Sequence, residues 1–185
     1  LGTVMVKNLT TFTSGVYKDS DPGNLIIYNN ELFFTAYSDN STDGGGRTLW
    51  KTDGTDVGTI IISSDIAGAH TLVRYNNDIY FSAYKTGGGQ EFWKTDGTSG
   101  GSFMVKDIND GHSGSYPSGF TILNGDLIFV ADDGIHGKEL WKSDGTELGT
   151  VMVKDINTSG NSTPGNFIVF QNELYFSAFE NDVYG

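Results

Sequence analysis

Glu139-Leu140-Trp141-Lys142-Ser143-Asp144-Gly145-Thr146 is the stretch on which the reading of this chain turns, because its core returns twice. The other copies are Leu49-Trp50-Lys51-Thr52-Asp53-Gly54-Thr55 and Phe92-Trp93-Lys94-Thr95-Asp96-Gly97-Thr98, with the tryptophans 43 and 48 residues apart. Working outward, a second pattern precedes each copy. Leu32-Phe33-Phe34-Thr35-Ala36, Ile79-Tyr80-Phe81-Ser82-Ala83, Leu127-Ile128-Phe129-Val130-Ala131 and Leu174-Tyr175-Phe176-Ser177-Ala178 follow one another at 47, 48 and 47 residues. A third pattern follows the Asp-Gly pair: Gly58-Thr59-Ile60-Ile61-Ile62, Gly101-Ser102-Phe103-Met104-Val105-Lys106 and Gly149-Thr150-Val151-Met152-Val153-Lys154, with Gly2-Thr3-Val4-Met5-Val6-Lys7 a further copy at the start. Interleaved patterns at one period mean one structural unit used repeatedly.

The unit reads as four short strands. In the third copy these are Phe120 to Leu123, Asp126 to Ala131, Glu139 to Ser143 and Gly149 to Ile156. Asn124-Gly125 joins the first two, both residues tolerating positive φ as a tight hairpin requires. Asn29-Asn30, Asn76-Asn77 and Gln171-Asn172 take the same place elsewhere. The second strand is apolar on both faces, as a strand covered from both sides must be. No segment keeps a 3.6-residue period, so helix is not expected. Four antiparallel strands in about 47 residues predict β-propeller blades, an all-β fold. The units fall at 24–66, 71–108, 118–156 and a truncated 165–185, with 1–9 as the last strand of a preceding blade. This phase leads us to expect an incomplete ring, part of a larger propeller. The opening residues have no basic leader and no long apolar stretch, so they are read as mid-repeat and the chain as a fragment or mature piece.

At these residues the chain resembles the bacterial E-L-W-x-x-D-G-T repeat family. Glu139 to Thr146 with Gly149-Thr150 carries the whole motif, Gln90-Glu91-Phe92-Trp93 is a near match, and Thr48-Leu49-Trp50 lacks the Glu. The resemblance spans essentially the full chain. It implies blade-like repeats in large secreted or cell-surface bacterial proteins, and it brings no catalytic residue with it.

Composition narrows the function. The 185 residues carry 11 Lys+Arg against 23 Asp+Glu, a net charge of −12. A phosphate backbone needs a basic stripe, so no nucleic-acid partner is expected. The absence of cysteine excludes disulfides, thiolate zinc sites and thiol catalysis. No run of 18 apolar residues predicts membrane insertion.

Candidate chemistry is weighed against packing. Trp50, Trp93 and Trp141 are the ligand candidates, since indoles stack on sugar rings. Their identical place in each unit speaks for a structural role between blades. Asp53, Asp96 and Asp144 suit turn chemistry better than acid catalysis. Asp132 and Asp133, with the carbonyls around Gly134, are the metal candidates, for Ca²⁺, although D-x-D-x-D-G spacing and a bidentate Glu are missing. No other cofactor is expected. Ser41-Thr42-Asp43-Gly44-Gly45 resembles an Asp-box loop in one copy only and reads as a Gly-rich hairpin loop. His70, His112 and His136 share no spacing. Asn8, Asn40, Asn157 and Asn161 begin glycosylation sequons, here read as polar loop.

The expectation is a non-catalytic extracellular module, not an enzyme. It would be a scaffold for adhesion or protein contact, its partners being other blades or modules of the same protein or another subunit. Its variable loops are Thr10 to Gly23, Ala67 to His70, Asp110 to Gly119 and Thr158 to Gly165. One alternative is a lectin-like propeller that binds a glycan at each blade. Another is part of a propeller hydrolase or lyase.

Overall fold

In the computed structural model, residues 2–10, 19–37, 46–85 and 87–181 are described. The Ser41–Gly45 loop and the Asn40 sequon lie outside them. Among the described residues the fold is all-β, without helix. Strands β1 (Gly23–Tyr28), β2 (Glu31–Ala36), β3 (Thr48–Thr52) and β4 (Ile60–Ile61) form one sheet in that order. Strands β5 (Ile66–Tyr75), β6 (Asp78–Lys85), β7 (Glu91–Thr95) and β8 (Ser102–Lys106) form a second. Strands β9 (Ser118–Leu123), β10 (Asp126–Asp132), β11 (Lys138–Ser143) and β12 (Val151–Lys154) form a third, and β13 (Gly165–Phe170) and β14 (Glu173–Ser177) pair as a fourth. Each four-stranded sheet is an up-and-down antiparallel meander, the construction of a propeller blade. The chain divides into two compact units, Leu1–Thr86 with Lys94–Phe103, and Gly87–Trp93 with Met104–Gly185.

The strands expected in the third copy stand, with ends shifted by one or two residues, but Ala67 to His70, expected as a loop, lie within β5. The first strand of the third sheet starts at Ser118 and its last covers only Val151–Lys154. Residues 2–9, expected as an outer strand, form none, because a strand exists by pairing with a neighbour. Lys7 nonetheless caps the first sheet's turn, donating Nζ–H to the Asp56 and Thr59 carbonyls. Lys106, at the end of β8, reaches the Glu147 carbonyl of the equivalent turn in the same way.

The hairpins are chemically fixed. Asn29 and Asn30 have φ of 49° and 63°, Asn124 and Gly125 51° and 91°, Gln171 and Asn172 51° and 62°. Positive φ at both central residues gives the turn whose twist matches the flanking strands. The registers coincide as well. Gly23 pairs Thr35 and Tyr28 pairs Glu31 in the first sheet, as Gly165 pairs Ser177 and Phe170 pairs Glu173 in the fourth.

The Asp-Gly turns are closed by the motif's own side chains. Asp144 Oδ1 accepts from both the amide and the hydroxyl of Thr146, at 2.8 and 2.7 Å. Thr146 Oγ1 accepts the Gly149 amide, and Thr150 Oγ1 donates to the Thr146 carbonyl. Asp53 and Asp96 bind Thr55 and Thr98 identically. The second glycine has a steric reason: a Cβ on Gly58, Gly101 or Gly149 would lie 2.0, 1.9 or 2.0 Å from that aspartate Oδ1.

The central strands carry the core. Phe33, Phe81, Phe129, Ile79 and Leu127 are fully buried. Inside the second unit, Phe92 of β7 stacks on Phe129 of β10 at 4.8 Å and on Phe120 at 5.9 Å, so an aromatic layer joins consecutive sheets.

Candidate functional site

The three tryptophans lie at one position of β3, β7 and β11, and they are only 5, 7 and 6% exposed. Trp50 stacks on Phe34 at 6.3 Å. Trp141 sits opposite Phe129 in register and donates its indole N–H to the Ala131 carbonyl at 3.1 Å. The Trp50 and Trp93 indole N–H groups are buried without a hydrogen-bond partner among the described residues. A ring at this depth has no face free for a sugar.

Glu91 and Glu139 had no role assigned from sequence. They begin the Leu/Phe-Trp stretch, and they are buried carboxylates. Glu139 accepts the amides of Ile156 and Ser162 at 3.0 and 2.9 Å and the Ser162 hydroxyl. Glu91 accepts the amides of Ile108 and Ser115, both at 2.8 Å, and the Ser115 hydroxyl. Each carboxylate therefore ties both ends of the loop that leads from one sheet to the next. Burial pushes the Glu91 carboxyl above its ordinary range, while these donors pull it down.

The far end of each tied loop is Ser-x-Pro: Ser115-Tyr116-Pro117 and Ser162-Thr163-Pro164, repeated at Ser20-Asp21-Pro22. The middle residues share positive φ, at 50°, 43° and 38°. The serine carbonyls accept equivalent amides from Asp132, Phe179 and Tyr37. So the loops expected to vary are in part common framework. Thr48 stands where Glu would be in the first sheet and donates its hydroxyl to the Ala36 carbonyl. The loop after that sheet, Ser63-Ser64-Asp65, has no Ser-x-Pro. Where the carboxylate is missing, its serine partner is missing too.

The tied loops shape a polar hollow of about 660 Å³ within the second unit, lined by Asn109, His112, Tyr116, Asp132, Ile135 and Asn161 among others. Tyr116 is 55% exposed there. His112 Nδ1 is 2.6 Å from the Gly87 carbonyl, and Asn161 Oδ1 accepts the Lys138 amide. Asp132 Oδ1 accepts the Gly134 amide.

The metal candidates are engaged in their own turn. Asp133 Oδ1 accepts the amides of Ile135 and His136, and its Oδ2 is 2.7 Å from His136 Nδ1. No group of three or more His, Cys, Asp or Glu placed to hold a metal ion occurs among the described residues. His70, in β5, is away from the hollow's lining, and of the histidines only His112 belongs to it. Asn157 is buried and donates its amide to the Asn161 carbonyl, so its sequon is spent on the loop.

The Asp133–His136 pair makes a pH prediction. The hydrogen bond to Asp133 holds the His136 imidazole above its ordinary 6.5. Burial works to raise Asp133, but the His136 amide and ring outweigh it and lower the carboxyl below 3.8. A raised histidine stabilises fully below pH 6.5 and loses that contribution as pH rises through its folded value. The lowered aspartate contributes above 3.8 and loses it as pH falls through its own folded value. NMR titration should place His136 above 6.5, and Asp133→Asn should return it toward 6.5. An unshifted His136 in the parent chain would contradict the pair.

No family model and no curated protein matches the chain. Among solved structures, the endo-arabinase from Bacteroides thetaiotaomicron is similar over 87% of this chain and 70% of that chain, at 14% identity and a TM-score of 0.40. A likeness that distant carries no argument about activity.

Proposed function

We infer that the chain is a non-catalytic scaffold module of a secreted or cell-surface protein. Its stiff sheets hold loops in place for contact with another protein. One observation supports this most: the groups that recur in the motif are used by the frame itself. Trp141 packs, Asp144 closes a turn and Glu139 ties a loop. What is left for contact is the loop surface, above all the hollow around Tyr116 and Asp132. Sites on loops carried by a rigid frame are the usual arrangement for recognition. The resemblance to E-L-W-x-x-D-G-T repeat proteins supports the extracellular setting.

A glycan is the second reading. An exposed tyrosine beside amide and carboxylate side chains is a surface on which a sugar ring could stack and hydrogen-bond. Incubation with a panel of polysaccharides, followed by reducing-end assay and affinity electrophoresis, decides between the readings. The scaffold reading expects no new reducing ends and no retardation. Retardation abolished by Tyr116→Ala would establish the glycan site, and catalytic release of reducing ends would overturn both.

A further inference from the structure

The first unit holds a guanidinium between two side chains that the second unit repeats. Arg47 lies over the Tyr37 ring at 5.1 Å and forms an ion pair with Asp21. It also donates to the Thr35 carbonyl at 3.2 Å. A guanidinium suits this place because its face stacks on a ring while its edge bonds a carboxylate. So held, the Arg47 side chain is only 13% exposed. The backbone brings ring and acid together. Asp21 is the middle residue of Ser20-Asp21-Pro22, and the Tyr37 amide donates to the Ser20 carbonyl at 2.8 Å.

The same backbone recurs at the hollow of the second unit, with the two side chains exchanged. Tyr116 is the middle residue of Ser115-Tyr116-Pro117, at φ 50° against 38° for Asp21. The Asp132 amide donates to the Ser115 carbonyl at 2.9 Å. Tyrosine thus stands in the acid's place and the acid in the tyrosine's. Among the described residues no lysine or arginine lines this hollow, and its histidine, His112, is held at the Gly87 carbonyl. Tyr116 is 55% exposed, and Asp132 Oδ2 has no partner among the described residues. Lys138 has the strand position of Arg47, opposite Asp132 in register. It makes no ion pair among the described residues and lines another cavity, beside Phe120 and Phe167.

We propose that the hollow receives an arginine side chain of a partner protein, its guanidinium stacked on Tyr116 and paired with Asp132. This rests on the reading of the hollow as a protein-contact surface and names the chemistry of that contact. Neither arginine of this chain is free to fill the place: Arg47 is held as described, and Arg74 lies over the Tyr28 ring at 5.7 Å. The net charge of −12 draws a basic partner toward the loops. Ile135, 83% exposed in the same lining, offers apolar surface to the arginine's methylene stem.

The test titrates the whole chain, ¹⁵N-labelled, with acetyl-Gly-Arg-Gly-amide at low salt. Amide shifts at Ser115, Tyr116 and Asp132 should saturate with a Kd of roughly 1–10 mM, what one anchoring side chain supplies. Citrulline in place of the arginine keeps the shape and removes the charge, and should give no saturable shift. The lysine peptide should bind about three- to ten-fold more weakly, since an ammonium cannot stack and fork at once. Asp132→Asn keeps an Oδ1 acceptor for the Gly134 amide, so the turn is preserved. It should weaken arginine binding by about three- to ten-fold, and Tyr116→Ala by about two- to five-fold. The peptide series needs no change in the protein, so folding does not confound it. Absence of binding, equal binding of arginine with citrulline or lysine, or indifference to Asp132→Asn overturns the proposal. Each of these outcomes leaves the scaffold reading standing, because that reading falls to polysaccharide retardation or release of reducing ends.

Discussion

Glu139→Ala is expected to lower unfolding free energy by about 3–5 kcal/mol, since removing one partner of a buried charged group strands the others. The group stranded outright is the Ile156 amide, while the Ser162 amide and hydroxyl are left with the Lys138 carbonyl alone, around a side chain with no solvent exposure. An amide that loses its carboxylate in this buried setting bears a desolvation cost. At about 2–4 °C per kcal/mol for a chain of this size, the melting midpoint should fall by roughly 6–20 °C. Glu139→Gln keeps one acceptor oxygen but turns an NH₂ toward donors, and it should cost about 1–3 kcal/mol. Ser162→Ala should be non-additive with Glu139→Ala, because the hydroxyl and the carboxylate are in direct contact, the Lys138 carbonyl being the hydroxyl's other acceptor. Urea unfolding gives all three values. A Glu139→Ala loss under about 1 kcal/mol would mean that the carboxylate does not tie this loop.

Trp141→Ala should cost about 3–5 kcal/mol, the range for emptying a large aromatic site that cannot collapse. The ring is 6% exposed against Phe129, and its N–H bond to Ala131 goes with it. The phenylalanine series separates volume from hydrogen bonding. Trp141→Phe gives up a satisfied bond, whereas Trp93→Phe removes an N–H that is buried without a partner. Trp141→Phe should therefore be the more damaging by about 1 kcal/mol. Equal losses, measured by the same urea titration, would show that the bond contributes nothing. If Trp141→Ala left stability unchanged and abolished binding of a ligand instead, the packing account of this position would be wrong.

The blades were legible from sequence because their determinants are local. Asn124-Gly125 dictates a turn from two residues, and Asp126 to Ala131 announces burial on both sides by itself. The Asp144–Thr146 turn likewise closes within a few residues. The loop ties were not legible for the opposite reason. Glu139 meets Ile156 and Ser162 across 17 and 23 residues, and Glu91 meets Ser115 across 24. Neither end looks unusual alone: a Glu on a strand suggests an exposed face, and Ser-x-Pro suggests any turn. The signal is their joint presence in two units and joint absence at Thr48. The Asp132–Asp133 reading turned on a different point. Composition offered two carboxylates for Ca²⁺, but backbone conformation aims Asp133 at the Ile135 and His136 amides. That direction is set by φ and ψ, which residue identity does not reveal.

Among the described residues, every strand pairs only with the strands next to it along the chain. A fold made of such short circuits behaves as a one-dimensional array, in which stability is summed from units and their immediate neighbours. Damage then stays where it is inflicted. A unit can be duplicated, deleted or exchanged with only its flanking joints to rebuild. Lengthening by gene duplication thus needs no new architecture.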